Sequence, residues 1–131
     1  PEWVLIPELF RCIGTTRSGK HIDVKLPCGK QNFIDKMEEY VPGTREKMNT
    51  LFDLLEEVRA AVVYMNDGTP NDSKYMQEHF PNTLRTCGYP ALKVFQALKL
   101  PQKAIDILSV YWCYLGVNLD ELNFIHYFTE T

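Results

Sequence analysis

The order of apolar and polar positions divides this chain into a short β region and a long helical one. From His21 to Leu26 the pattern alternates, with Ile22, Val24 and Leu26 on one side and His21, Asp23 and Lys25 on the other. That two-residue period belongs to a strand with one buried face. Phe10 to Thr16 reads as its partner, and Arg17-Ser18-Gly19-Lys20 between them supplies a glycine-containing hairpin connection. A loop formed by Ser18 and Gly19 sets Cys12 opposite Lys25 rather than Cys28, which speaks against a disulfide there. An extended lead-in, Trp3 to Pro7, precedes the hairpin. No third strand follows, although a lone hairpin is marginal in water and needs more strands or a helix against it. The sheet is therefore expected to be incomplete.

After Pro27-Cys28-Gly29 the period lengthens to that of a helix. Gln31 to Val41 carries Phe33, Ile34, Met37 and Tyr40, and Pro42-Gly43 ends it. Thr44 is a suitable N-cap for a second helix running to about Met65. Its apolar positions, Met48, Leu51, Phe52, Leu55, Val58, Val62 and Met65, keep helical spacing, with Glu56, Glu57 and Arg59 on the wet side. Asn66 to Asp72 is dense in turn formers and predicts a loop, the chain's mobile surface segment. Ser73 to Phe80 predicts a short helix closed by Pro81, and Pro90 opens another with Leu92, Val94, Phe95 and Leu98.

Pro101 and Gly116 bracket the most apolar helix. Leu108, Tyr111, Trp112 and Leu115 share one face, while Ile107, Val110, Cys113 and Tyr114 cover the others. A helix apolar all round is normally buried on every side. The side bearing Tyr114 should face a cavity, another subunit or parts of a larger protein, unless Tyr114 and Ile107 are fully buried within this chain. Asn118 and Glu121 form a capping-box pattern opening a last helix with Leu122, Phe124, Ile125, Tyr127 and Phe128. The prediction is one α+β, mostly helical domain over residues 1–131. A β-hairpin region occupies residues 1–29, and residues 30–131 form about six helices around the central apolar one.

Composition narrows the class. A chain of 131 residues suits one domain, and 24% charged with 45% hydrophobic residues is ordinary for a globular protein. The net charge of −3, with lysines and arginines scattered among acids, argues against a nucleic-acid binder. The longest apolar run falls far short of the roughly 20 residues that a membrane-spanning helix needs. No secretory signal is visible and the chain begins at Pro1, so it has been processed or is a piece of something longer. Cys12, Cys28, Cys87 and Cys113 form no close pair, which predicts reduced structural thiols and a cytoplasmic setting.

The sequence offers no self-contained chemistry. Its glycines are singletons, so neither a dinucleotide fingerprint nor a P-loop can be built from them. His21, His79 and His126 match no metal-ligand spacing. Glu38–Glu39 and Glu56–Glu57 are neighbours on helices and point apart, which predicts solvated faces rather than an acid/base pair. No catalytic, cofactor-binding or metal-binding residue is assigned. The candidates are aromatic: Tyr111, Trp112, Tyr114, Phe124 and Tyr127, with His126 beside them, on two consecutive helices. They form either a core cluster or the wall of an apolar ligand cavity with Tyr114, Tyr127 and His126 as polar tips.

Several segments in order carry a resemblance: Arg11-Cys12-Ile13-Gly14, His21-Ile22-Asp23-Val24-Lys25-Leu26-Pro27, the end of the first helix at Glu38-Glu39-Tyr40-Val41-Pro42-Gly43, and Tyr111-Trp112-Cys113-Tyr114-Leu115-Gly116. Together, from about Phe10 to Tyr127, they resemble the non-dinucleotide part of FAD-dependent oxidoreductases of the phytoene desaturase and carotenoid isomerase family. The resemblance implies a substrate-binding (cap) domain, inactive alone, whose FAD-binding partner domain is built from other segments of a parent protein. It also implies an apolar small-molecule substrate acted on through the flavin. The alternative is a free-standing helical interaction module, its surplus apolar surface forming a homodimer or a partner groove.

Overall fold

The computed structural model describes residues 2, 4, 7–16, 19–67, 72–111 and 117–129, the side chains of residues 111, 128 and 129 excepted. The architecture is α+β: an antiparallel hairpin followed by seven helices among the described residues. Strand β1 (Glu8–Thr15) pairs with β2 (His21–Pro27). The alternation of β2 is realised, since Ile22, Val24 and Leu26 are buried and the residues between them are exposed.

The register differs from the expected one by a single residue. Cys12 faces Val24, and Arg11 faces Lys25. The loop is longer than Ser18–Gly19 alone: the Thr16 amide donates to Lys20 O at 2.8 Å, and the Gly19 amide donates to Thr16 O at 2.9 Å. Gly19 holds a φ of +82°, a conformation that favours glycine, as expected for a hairpin that closes through a left-handed glycine. The shift matters because a one-residue slip turns every side chain to the opposite face. In the observed register Cys12 points into the core, while Arg11 stays outside and grips Asp23 with bonds of 2.7 and 2.6 Å. Cys12, Cys28 and Cys87 are free thiols.

Helix α1 (Lys30–Tyr40) lays Phe33, Ile34 and Met37 on β2. It stops at Val41, whose amide donates to Met37 O, and Gly43 turns the chain at a φ of +83°. Helix α2 (Arg45–Asn66) is the longest element and touches α1, α4 (Pro81–Thr86) and α7 (Phe124–Thr129). Thr44 stands at its N-cap position, but the Thr44 hydroxyl donates to Val41 O and does not cap. The carboxylate of Glu38 does so instead, accepting from the amides of Gly43, Thr44 and Arg45 at 2.7, 2.8 and 2.7 Å. Helix α3 (Ser73–His79) is capped by Asp72, which accepts from the Lys74 amide.

Pro81 opens α4 rather than merely closing α3, because proline fits the first helical turn, where no amide donor is needed. Glu57, reaching across from α2, caps α4 by accepting from the Asn82 and Thr83 amides at 2.7 and 2.8 Å. One member of each adjacent carboxylate pair is therefore a helix cap. Its neighbour forms an ion pair: Glu39 with Lys36, Glu56 with Lys30.

Helices α5 (Ala91–Ala97) and α6 (Gln102–Tyr111) follow as predicted from their prolines. Asn118 to Leu122 forms a turn, not the first turn of a long helix; α7 starts only after Asn123, whose side chain accepts from the Ile125 amide. This turn is stitched to α5, with Ala91 donating to Leu122 O and Leu92 to Leu119 O. One core joins the hairpin to all helices except α3 and α4, and a satellite of Ala61, Met76 and Phe80 seats α3.

The two capping carboxylates give a pH signature. Glu38 is held below the usual carboxylate range by the amides of Gly43 and Arg45. For Glu57, burial opposes ionisation, but the amide of Thr83 and the side chain and amide of Asn82 outweigh it and lower the pKa. A carboxylate whose pKa is depressed on folding stabilises the fold above its unfolded pKa, and that contribution is lost as pH falls through the folded value. Glu57→Ala should therefore lower stability at neutral pH by about 1 kcal/mol, as loss of an N-cap does. In urea titrations followed by circular dichroism, the gap between variant and wild type should close as the medium turns acidic. A gap independent of pH would show that the Glu57 cap is not what the substitution removed.

Candidate functional site

Helix α2 is covered along only part of its apolar face by α1, α4 and α7. Along α2 the apolar stripe is buried at Met48, Leu51 and Val58, but Phe52, Leu55 and Val62 are only partly covered and Val63 is 63% exposed. At 1.5 Å per residue, the wall from Met48 to Val63 is about 22 Å long. The opposite wall is the base of the hairpin and the start of α1: Leu9, Pro27, Cys28, Gly29, Lys30 and Phe33. Leu108 of α6 and Tyr127 of α7 complete the lining of a groove of about 810 Å³. That volume lies within the range of small-molecule sites, and the lining has their mostly apolar character.

Local sequence explains the walls. Gly29 holds a φ of +92°, which lets β2 turn directly into α1 and brings Phe33 edge-on to Phe52 at 5.6 Å between ring centroids. Tyr127 is fully buried; its hydroxyl donates to Leu108 O at 2.7 Å, joining α7 to α6. Charge is confined to the rim. Lys30 Nζ donates to Glu56 at 2.8 Å and to Asp53 at 3.1 Å, tying α1 to α2 at the groove. These bonds, that to Glu56 first, raise the Lys30 pKa. Exposed as they are, they contribute little to stability. Arg59, also on the lining, has no ion pair or hydrogen bond among the described residues.

The aromatic candidates separate in space. Tyr127 borders the groove. Phe124 is buried against Phe95 in an edge-on contact of 6.5 Å. His126 is exposed. Tyr111 is the last residue of α6, and its side chain, like Trp112 and Tyr114, lies outside the described residues, as does the centre of the loop expected at Asn66 to Asp72. Ile107 is fully buried, and Val110 is 48% exposed. Of the groove residues that sequence reasoning missed, Leu55, Val62 and Val63 carried one signal: the apolar positions of α2 outnumber what a single core face requires.

Among the described residues no group of three or more His, Cys, Asp or Glu could hold a metal ion, and no helix is long and apolar enough to cross a membrane. Nor do these residues fit a flavin dinucleotide. A pyrophosphate needs a glycine-rich turn at an open helix N-terminus. The N-terminal amides of α2 and α4 are taken by Glu38 and Glu57, and the turn before α1 has one glycine, Gly29, where the fingerprint has three. What the arrangement offers is an elongated apolar groove with a polar rim. Compared with known proteins, the chain matches no family model, no curated protein and no solved structure.

Proposed function

We propose that this chain is the substrate-recognition domain of a FAD-dependent oxidoreductase of the phytoene desaturase and carotenoid isomerase type, and that the groove along α2 receives its apolar substrate. The observation that carries the proposal is the groove itself: about 810 Å³, walled by Leu51, Phe52, Leu55, Val58, Val62 and Phe33. The capped N-termini of α2 and α4 support placing the flavin on a separate domain of the parent protein. No step through the flavin is derived from these residues.

Titration with a linear polyene, read by quenching of tryptophan fluorescence, should saturate at one equivalent. Leu55→Lys, which sets an ammonium among the apolar walls, should weaken binding by about tenfold or more. Tight stoichiometric binding of FAD by the isolated chain would overturn the reading. A second reading, an interaction module whose groove takes a partner or a second copy, is favoured by Leu9 and Val63, 42% and 63% exposed on the lining. Sedimentation separates the two: a concentration-dependent dimer abolished by Leu55→Lys supports the second.

A further inference from the structure

Resting on the reading of the groove as a substrate site, we propose that its ligand is a single-chain amphiphile with an anionic head, and that Arg59 receives the head. Three charged side chains are on the described lining: Lys30, Glu56 and Arg59. Lys30 and Glu56 neutralise each other, and Asp53 engages Lys30 a second time. Arg59 alone of the three has no partner among the described residues. It stands on α2 one turn from Leu55 and from Val62 and Val63, all on the same lining.

A pure hydrocarbon leaves that guanidinium unused. A carboxylate or phosphate matches its planar fork of donors with paired, charge-assisted hydrogen bonds. The groove has no competing polar anchor on its aromatic wall, because the Tyr127 hydroxyl is engaged by Leu108 O. The arrangement therefore gives the ligand a direction. Its head lies at Arg59, and its chain runs along the half-buried Leu55 and Phe52, over about 10 Å of helix at 1.5 Å per residue.

The test uses the full chain, below the micellar range of each ligand, with displacement of a fluorescent polyene as readout. Palmitate and hexadecyl phosphate are compared with hexadecanol at a pH where palmitate is ionised. Wild type should bind the anions about five- to tenfold more tightly than the alcohol, the span of a charge-assisted hydrogen bond at a partly exposed site. Arg59→Gln should erase that preference, weakening the anions more than hexadecanol, and Arg59→Lys should keep part of it. A preference for palmitate alone or for the phosphate alone identifies the head group and upholds the role of Arg59. Equal binding of alcohol and anions by wild type, or a preference that survives Arg59→Gln, overturns this inference while the groove reading stands. If the probe binds but neither alcohol nor anion displaces it, this inference falls and the groove reading stands; if the probe itself does not bind, the groove reading falls.

Discussion

Replacing Phe95 by alanine is expected to cost about 3–5 kcal/mol of folding free energy. The ring is fully buried and meets Tyr127 edge-on at 5.2 Å and Phe124 edge-on at 6.5 Å. It therefore holds α7 against α5, and through the Tyr127 hydroxyl on Leu108 it also steadies α6. Truncation leaves a cavity bounded by two rings that are themselves fixed, so relaxation can fill little of it. Native domains are stable by only about 5–15 kcal/mol, so one such loss is a large fraction of the whole. Urea unfolding followed by tyrosine fluorescence measures it. Because Tyr127 borders the groove, Phe95→Ala should also weaken polyene binding under conditions where the variant remains folded. A loss below about 1 kcal/mol would mean that this aromatic contact is not a core support.

The second large effect tests the hairpin register. Cys12→Asp is expected to destabilise by about 3 kcal/mol or more, because it leaves a buried carboxylate with no partner. Ile13→Asp should cost no more than about 1 kcal/mol, the repulsion of the carboxylate it sets opposite Asp23 across the hairpin. Cys12 is 2% exposed and Ile13 60% exposed. In the register set by a Ser18–Gly19 loop the order would reverse, with Ile13 facing the core and Cys12 facing water. Thermal melts of the two variants decide between the registers, and similar melting points would contradict the observed one.

That register shows where sequence reading stops. Strand β2 was legible because its own alternation declares its buried face, whatever it pairs with. The pairing depended on how many residues the loop absorbs, and that is set by Gly19 at φ +82° and the Thr16–Lys20 hydrogen bond, not by any pattern in β1. The helices with strong periodicity, α1 and α2, lie within a residue or so of their expected bounds, and proline placed the starts of α5 and α6. Pro81 was ambiguous because proline both ends one helix and begins the next. Glu57 as the cap of α4 was invisible because its partners lie 25 and 26 residues away. The groove was half legible: the excess of apolar positions on α2 is in the sequence. Which of them stay uncovered depends on how α1, α4 and α7 pack against that helix. The family resemblance remains a proposal, and among the candidates that lie in the described residues Tyr127 lines the groove.

The face of α2 from Phe52 to Val63 is proposed to receive an apolar ligand. That proposal is tested most directly by methyl-resolved NMR of the chain during titration with a linear polyene. Saturable shifts are expected for Leu55, Val62 and Val63, with Ile22, Val24 and Ile34 in the core unmoved. Shifts spread over the core, or absent from the α2 methyls at saturating polyene, would contradict it.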